Sequence, residues 1–326
     1  MSADSAGARS DSAGARADAA SLARLAICFS IDGGFGMQLA VALRSLFRHH
    51  DAHELEVHVL TAQVDDGIWQ SSVRDLPAGA RILRHPVDPD RVGDVRTPPR
   101  LPRASFVRLL MGSVLPPALD RVLYLDADVM CRAPLHALWA TDLEGHALGA
   151  VADACTPWVG SPSGDFVEPR WRQLGLLPDN PYFNSGVLLV DLAQWRRRGF
   201  EQTALRLCQQ HLFVNGDQEA LLGACAGQWQ RLHPRWNMLP EHFNNSRNYG
   251  WVFEGEARMH EALADPALVH FTRGLRPWVF SFKSRHPYGH EWLELLDATP
   301  WRGWRPRPKP ISGLLRALDR AVRGYS

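Results

Sequence analysis

The stretch RVLYLDADVM, residues 121–130, decides the fold. Val122, Leu123 and Leu125 crowd β-branched and aliphatic side chains together without polar interruption, which reads as a strand buried on both faces. Asp126 and Asp128 follow at once. A carboxylate at the end of a core strand is costly unless something compensates it. In an extended backbone, residues i and i+2 point to one side about 6.6 Å apart, so one hard cation such as Mn²⁺ or Mg²⁺ can meet both. D-x-D alone is weak evidence: Asp88 and Asp90 in HPVDPDRV form another, in an expected surface loop. The pair at 126 and 128 differs because an apolar strand delivers it to a strand's C-terminal edge, where open α/β sheets bind ligands.

The neighbouring segments fit the same architecture. LAICFSI (25–31) reads as a strand, DGGFG (32–36) as a tight loop and MQLAVALRSLFRH (37–49) as a helix with Leu39, Leu43, Leu46 and Phe47 on one stripe. LEVHVLTAQ (55–63) is the next strand, which gives a βαβ unit and a parallel sheet. SFVRLLMGSVL (105–115) predicts a helix that Pro116 and Pro117 end. HALGAVAD (146–153) is a strand ending at Asp153, YFNSGVLLVDLAQWRRRG (182–199) a strand followed by a helix start, and NGDQEALLGACAG (215–227) a helix entered through a polar turn. The expected fold is α/β with a mostly parallel central sheet. DGGFG is not G-x-G-x-x-G and no lysine follows it, so neither a dinucleotide fingerprint nor a P-loop is present.

Three polar motifs accompany the aspartate pair. His270 closes the short apolar run ALVH, and a neutral imidazole there can complete the coordination of a metal held by two aspartates. Asp217 and Gln218 sit at a helix start, where an aspartate also serves as an N-cap. Asn184 and Ser185 precede a buried strand and are ordinary turn residues as well. The loop RWNMLPEHFNNSRNYGW (235–251) is either a plain connection or an acceptor pocket in which Trp236, His242, Phe243 and Asn244 contact a hydroxylated molecule.

Bulk composition removes other classes. The chain of 326 residues is 45% hydrophobic, enough for a large core, and its formal net charge of +1 gives no field to attract nucleic acid. Five scattered cysteines contain no C-x-x-C, which fits reduced cytoplasmic thiols rather than a disulfide framework. The expected organisation is a disordered tail over 1–20, where DSAGAR recurs at 4–9 and 11–16, one domain over 21–300, and a basic amphipathic tail over 301–326. In that tail Ile311, Leu314, Leu315, Leu318 and Val322 share one helical face. This allows either a docked helix or peripheral contact with anionic lipid through 311–324 at the inner membrane face.

Taken in order, the words SFVRLL, LPPALDRVLYLDADVM, AVADA, YFNSGVLLVDLAQWR, NGDQEALL, RWN and VHFTRGLRPW resemble the family-8 glycosyltransferases, which include glycogenin and bacterial lipopolysaccharide glucosyl- and galactosyltransferases. The resemblance implies a GT-A fold and retaining, metal-dependent transfer of a hexose, glucose or galactose, from a UDP-sugar to a hydroxyl acceptor. It implies Mn²⁺ or Mg²⁺ on Asp126, Asp128 and His270, uracil contact by Asp32, and Arg108 over the donor. Asp153, Asn184, Asp217 and Gln218 match the residues that hold the donor sugar, and Arg276 matches a family lysine that grips the diphosphate. Two alternatives are a catalytically silent UDP-sugar-binding protein and a haloacid-dehalogenase-like phosphatase, whose D-x-D motif also ends a strand.

Overall fold

The computed structural model describes residues 24–99, 101–161, 170–243, 249–272, 275–280 and 286–308. The expected tail over 1–20 and the apolar face from Ile311 to Val322 lie outside the described residues, as does Asn244. Nine strands are described: β1 Leu25–Asp32, β2 Leu55–Ala62, β3 Arg81–Pro86, β4 Arg121–Leu125, β5 Val129–Cys131, β6 Leu148–Ala152, β7 Phe183–Asp191, β8 Gln230–Arg231 and β9 Leu268–His270. Seven form one sheet in the order β3-β2-β1-β4-β7-β6-β8, and β5 pairs with β9 in a small second sheet. Neighbours β3-β2, β2-β1, β1-β4 and β6-β8 run parallel, while β7 is antiparallel to both β4 and β6.

The alternating side chains of β1 explain the burial on both faces. Leu25, Ile27, Phe29 and Ile31 enter one apolar cluster, with α1 (Gly36–Phe47) packed there through Leu39, Leu43 and Leu46. Ala26 and Cys28 enter the opposite cluster, beside Val122, Tyr124, Leu188 and Val190. A third cluster joins Val41, Val269 and Phe271 to Trp292, and Trp301 and Trp304 pack against it, so the chain just past residue 300 lies against the domain.

The sheet directions bring one edge together. Asp32 ends β1, while Asp126 and Asp153 directly follow β4 and β6. Because β7 is antiparallel to β4, its first residues, Phe183 and Asn184, lie at the same edge. Pairing then jumps from Ala150↔Leu188 to Val151↔Asn184, so β7 bulges at Ser185, Gly186 and Val187.

Two local expectations change. The segment expected as an α-helix from Ser105 is a 3-10 run over Arg103–Leu110 with only Met111–Val114 α-helical. The aspartate pair is not extended. The Val129 N–H bonds back to the Asp126 carbonyl at 3.0 Å, so Asp126–Ala127–Asp128 form a tight turn between β4 and β5. The turn, rather than strand pleating, brings the carboxylates together.

Burial pushes His50, His242 and His286 down to about 4 from an ordinary value of 6.5. Above about 6.5 these rings are neutral folded or unfolded; between 6.5 and 4 the unfolded chain binds more protons, so folding loses stability as pH falls through that window. Calorimetry should show Tm declining across it. His242→Asn, whose Oδ1 can replace Nδ1 as acceptor for the Leu239 N–H, should flatten the decline; an unaltered slope would remove His242 from the account.

Candidate active site

Asp32, Arg108, Tyr124, Asp126, Asp128 and Asp217 line one cavity of about 170 Å³ at the C-terminal edge of β1 and β4. The 3-10 run aims Arg108 into it, with little of the side chain exposed. Arg108 Nη1 donates to Asp126 Oδ1 at 2.9 Å and to the Ser185 carbonyl at 3.3 Å. Its Nε and Nη2 grip both oxygens of Asp217, the latter at 3.0 Å. Burial alone would lower the Arg108 pKa, but the Asp126 and Asp217 carboxylates outweigh it and hold the guanidinium well above its ordinary value. Burial pushes Asp217 up, and Arg108 opposes that rise.

Asp126 is oriented by a second donor. The Tyr124 hydroxyl gives its proton to Asp126 Oδ1 at 2.7 Å. Burial, then the Asp126 carboxylate, raises the Tyr124 pKa and keeps it a donor. With Oδ1 held on that side, Oδ2 faces His270 Nε2 at 3.7 Å, and Asp128 Oδ1 faces the same nitrogen at 3.1 Å. Pairing of Val129 with His270 across β5 and β9 creates this meeting. Burial alone would lower the His270 pKa; Asp128 and then Asp126 reverse that and raise it.

One ligand atom each from Asp126, Asp128 and His270 lies within 4.8 Å of the others. Two carboxylate oxygens and one imidazole suit a hard or borderline divalent ion, so the residues fit Mn²⁺ or Mg²⁺. His50, Glu54 and His136 meet the same distance test. There, however, His50 Nε2 accepts the Leu135 N–H at 3.1 Å, so a neutral ring carries its proton on Nδ1, the atom facing Glu54. That ring has no lone pair to spare, and the second cluster is not a metal site on these contacts.

Of the remaining motif residues only Asp32 lines the cavity; Gln218, Asp153 and Asn184 lie outside its lining and are held by contacts of their own. Gln218 Oε1 accepts from the Ser185 N–H at 2.9 Å and its hydroxyl at 3.2 Å, while Nε2 donates to the Tyr182 hydroxyl at 2.7 Å. Gly216, not Asp217, occupies the cap position of the helix Asp217–Ala224, which leaves the Asp217 side chain to Arg108. Asp153 Oδ1 accepts from the N–H groups of Cys155 and Thr156, and Asn184 Nδ2 reaches Asp153 Oδ2 at 3.4 Å. Asp32 Oδ1 accepts the Gly34 N–H at 2.9 Å, shaping the first loop. Arg276 stands apart from the cavity lining, on an exposed turn. Trp236 and His242 are 6% and 1% exposed, so both belong to the interior rather than to an open acceptor platform.

The sequence reading missed Tyr124, Tyr182 and Asn237. Tyr124 carried a signal, as the one hydroxyl in an otherwise aliphatic strand. Asn237 carried only its place in the word RWN; it is fully buried, with Oδ1 at 3.0 Å from His270 Nδ1.

Residues 26–281 match the model of glycosyl transferase family 8, and the chain belongs to that family. It is 26% identical over 204 residues to general stress protein A of Bacillus subtilis (strain 168), covering 61% of this chain and 66% of that relative, just under two thirds of its length. It is 23% identical over 291 residues to the lipopolysaccharide 1,2-glucosyltransferase of Escherichia coli (strain K12), covering 87% of this chain and 80% of that one. Among solved structures, the galactosyltransferase LgtC with donor and acceptor sugar analogues superposes with a TM-score of 0.67 at 24% identity, over 89% of this chain and 99% of its own. That likeness defines the fold as GT-A. The family match removes the phosphatase alternative.

Gly186 sets how closely the bulge can approach His270. A methyl group built there would overlap the His270 imidazole. Gly186→Ala should therefore displace His270 and weaken Mn²⁺ binding by about tenfold or more, read by electron paramagnetic resonance titration. Unchanged affinity in a folded variant would contradict the packing argument.

Proposed function

We propose that the protein is a retaining, metal-dependent hexosyltransferase that moves glucose or galactose from a UDP-sugar to a hydroxyl acceptor, on lipopolysaccharide or another glycan. The observation that carries this reading is the convergence of Asp126, Asp128 and His270 beside Arg108 and Asp217 in a family-8 chain. When bound, the divalent ion supplies a Lewis acid that stabilises charge on the departing diphosphate.

The chain's own residues divide the remaining work. Asp32 receives the uracil, and Arg108 lies over the donor, its charge fixed by two carboxylates. Asp153, Asn184, Asp217 and Gln218 hold the hexose, and Arg276 reaches the diphosphate from its loop. The acceptor oxygen bonds to the anomeric carbon on the face from which the diphosphate leaves, and the acceptor proton passes to the leaving oxygen. Gln218 stabilises the oxocarbenium-like sugar as the bond from the anomeric carbon to the diphosphate oxygen breaks and before the acceptor oxygen has bonded. The name of the Escherichia coli relative supports a lipopolysaccharide acceptor. Buried thiols at Cys28, Cys131, Cys208 and Cys225 accord with a cytoplasmic enzyme. Among the described residues, no helix is long and apolar enough to cross a membrane.

The purified chain should release UDP slowly from UDP-glucose or UDP-galactose with Mn²⁺, and not with EDTA or after joint Asp126→Ala and Asp128→Ala substitution. Metal-dependent UDP binding with no turnover on any donor or glycan acceptor would make it a silent binding protein, and no UDP binding would overturn the reading altogether. Gln218→Ala should lower kcat by on the order of a hundredfold with little change in donor affinity; an unchanged kcat would end its assignment.

A further inference from the structure

Asn237 lies between two parts of the site that share no residue. Its Oδ1 is 3.0 Å from His270 Nδ1, and its Nδ2 donates to Asn184 Oδ1 at 2.9 Å. Asn184 continues to Asp153 through Nδ2 at 3.4 Å, and His270 continues to Asp128 through Nε2 at 3.1 Å. The result is one file of side chains, Asp153–Asn184–Asn237–His270–Asp128, from the donor-sugar residues to the metal ligands.

The direction of every link follows from one backbone group. The Gly186 N–H donates to Asn184 at 3.0 Å, and a backbone N–H can only donate, so that Asn184 atom is its oxygen. The Asn237 atom facing the same oxygen must then be the amide nitrogen. Its other atom is therefore the oxygen, and His270 must present a proton on Nδ1. The neutral ring is left with its lone pair on Nε2, toward Asp126 and Asp128. At the other end, Asn184 is left with its N–H groups toward Asp153. Asn237 itself is 0% exposed, so both bonds are shielded from bulk solvent.

We infer that Asn237 is a positioning residue that acts on both ends at once: it fixes the His270 tautomer for the metal and, together with the Gly186 N–H, holds the Asn184 amide with its N–H groups toward Asp153 at the sugar end. The inference rests on the proposed function, since it assigns the two ends their ligands. Its consequence is a split that substitutions can separate. Asn237→Asp keeps an acceptor for His270 Nδ1–H and makes the imidazole more basic, but it places a second oxygen against Asn184 Oδ1. The metal end survives and the sugar end does not. Asn237→Ala removes both supports.

The test measures Mn²⁺ binding by electron paramagnetic resonance on the full chain, and the affinities of UDP, UDP-glucose and UDP-galactose by calorimetry at saturating Mn²⁺. Circular dichroism checks folding. Asn237→Ala should weaken Mn²⁺ about 10- to 100-fold, the usual effect of removing a partner of a metal-bound histidine. Asn237→Asp should hold Mn²⁺ at least as tightly as the wild type, yet lose the extra affinity that a hexose adds to UDP. If Asn237→Ala does not fold, the metal-against-sugar split in Asn237→Asp still decides. Equal weakening at both ends in Asn237→Asp, or no change in either folded variant, would overturn the inference. A wild-type chain that binds neither Mn²⁺ nor UDP would instead overturn the functional reading on which it rests.

Discussion

The bulge in β7 is the constraint on which the site depends. Where the strand leaves regular pairing, its backbone groups need partners, because an unmet buried N–H or C=O costs about 1–3 kcal/mol. Site residues supply them. The Gly186 carbonyl takes the Asp126 N–H at 2.8 Å and the Gly186 N–H goes to Asn184. The Ser185 carbonyl takes Arg108, and the Ser185 N–H goes to Gln218. Four residues on separate elements are registered against the backbone of two consecutive residues, three successive peptide units. Strand pairing sets those units far more rigidly than any surface loop would.

The electrostatics follow from that placement. Asp32, Asp126, Asp128 and Asp217 face one cavity, with Arg108 the cation among them. Arg108 sits between Asp126 and Asp217, so it restrains two carboxylates and leaves Asp128 and one oxygen of Asp126 directed at His270. A diphosphate approaching this edge meets more negative charge than positive. Under the proposed function a divalent cation is therefore needed for the donor to bind at all, not only for the bond to break. The raised pKa of His270 expresses the same excess of carboxylate in protonic form.

Much of this was legible in the sequence because the strands are buried on both faces. Continuous apolar runs ending in aspartate marked β1, β4 and β6, and a shared sheet edge then placed Asp32, Asp126 and Asp153 together. The details that escaped depend on long-range pairing. Whether Asp126–Asp128 continues a strand or turns is decided by β9, more than a hundred residues away, which pairs with β5 and draws Val129 opposite His270. The antiparallel direction of β7 has no local signature, since its apolar run would suit either direction. Trp236 is large and amphipathic, and only its enclosure by the core distinguishes it from an exposed stacking platform. Gly186 reads as a turn residue until the imidazole above it is seen.

The identity of the two asparagines follows from the same geometry. An aspartate at 184 would set a second carboxylate against Asp153, and a leucine would leave the Gly186 N–H unpaired. At 237 an acceptor is needed toward His270 and a donor toward Asn184, on one short side chain. A carboxamide offers both on two separate atoms without charge. The file then ends at each side on a carboxylate, Asp153 and Asp128, groups that only accept when ionised. Every proton in it is donated toward an end that can take one. His270 is held from both sides within that file, with Nδ1 at 3.0 Å from Asn237 Oδ1 and Nε2 at 3.1 Å from Asp128 Oδ1.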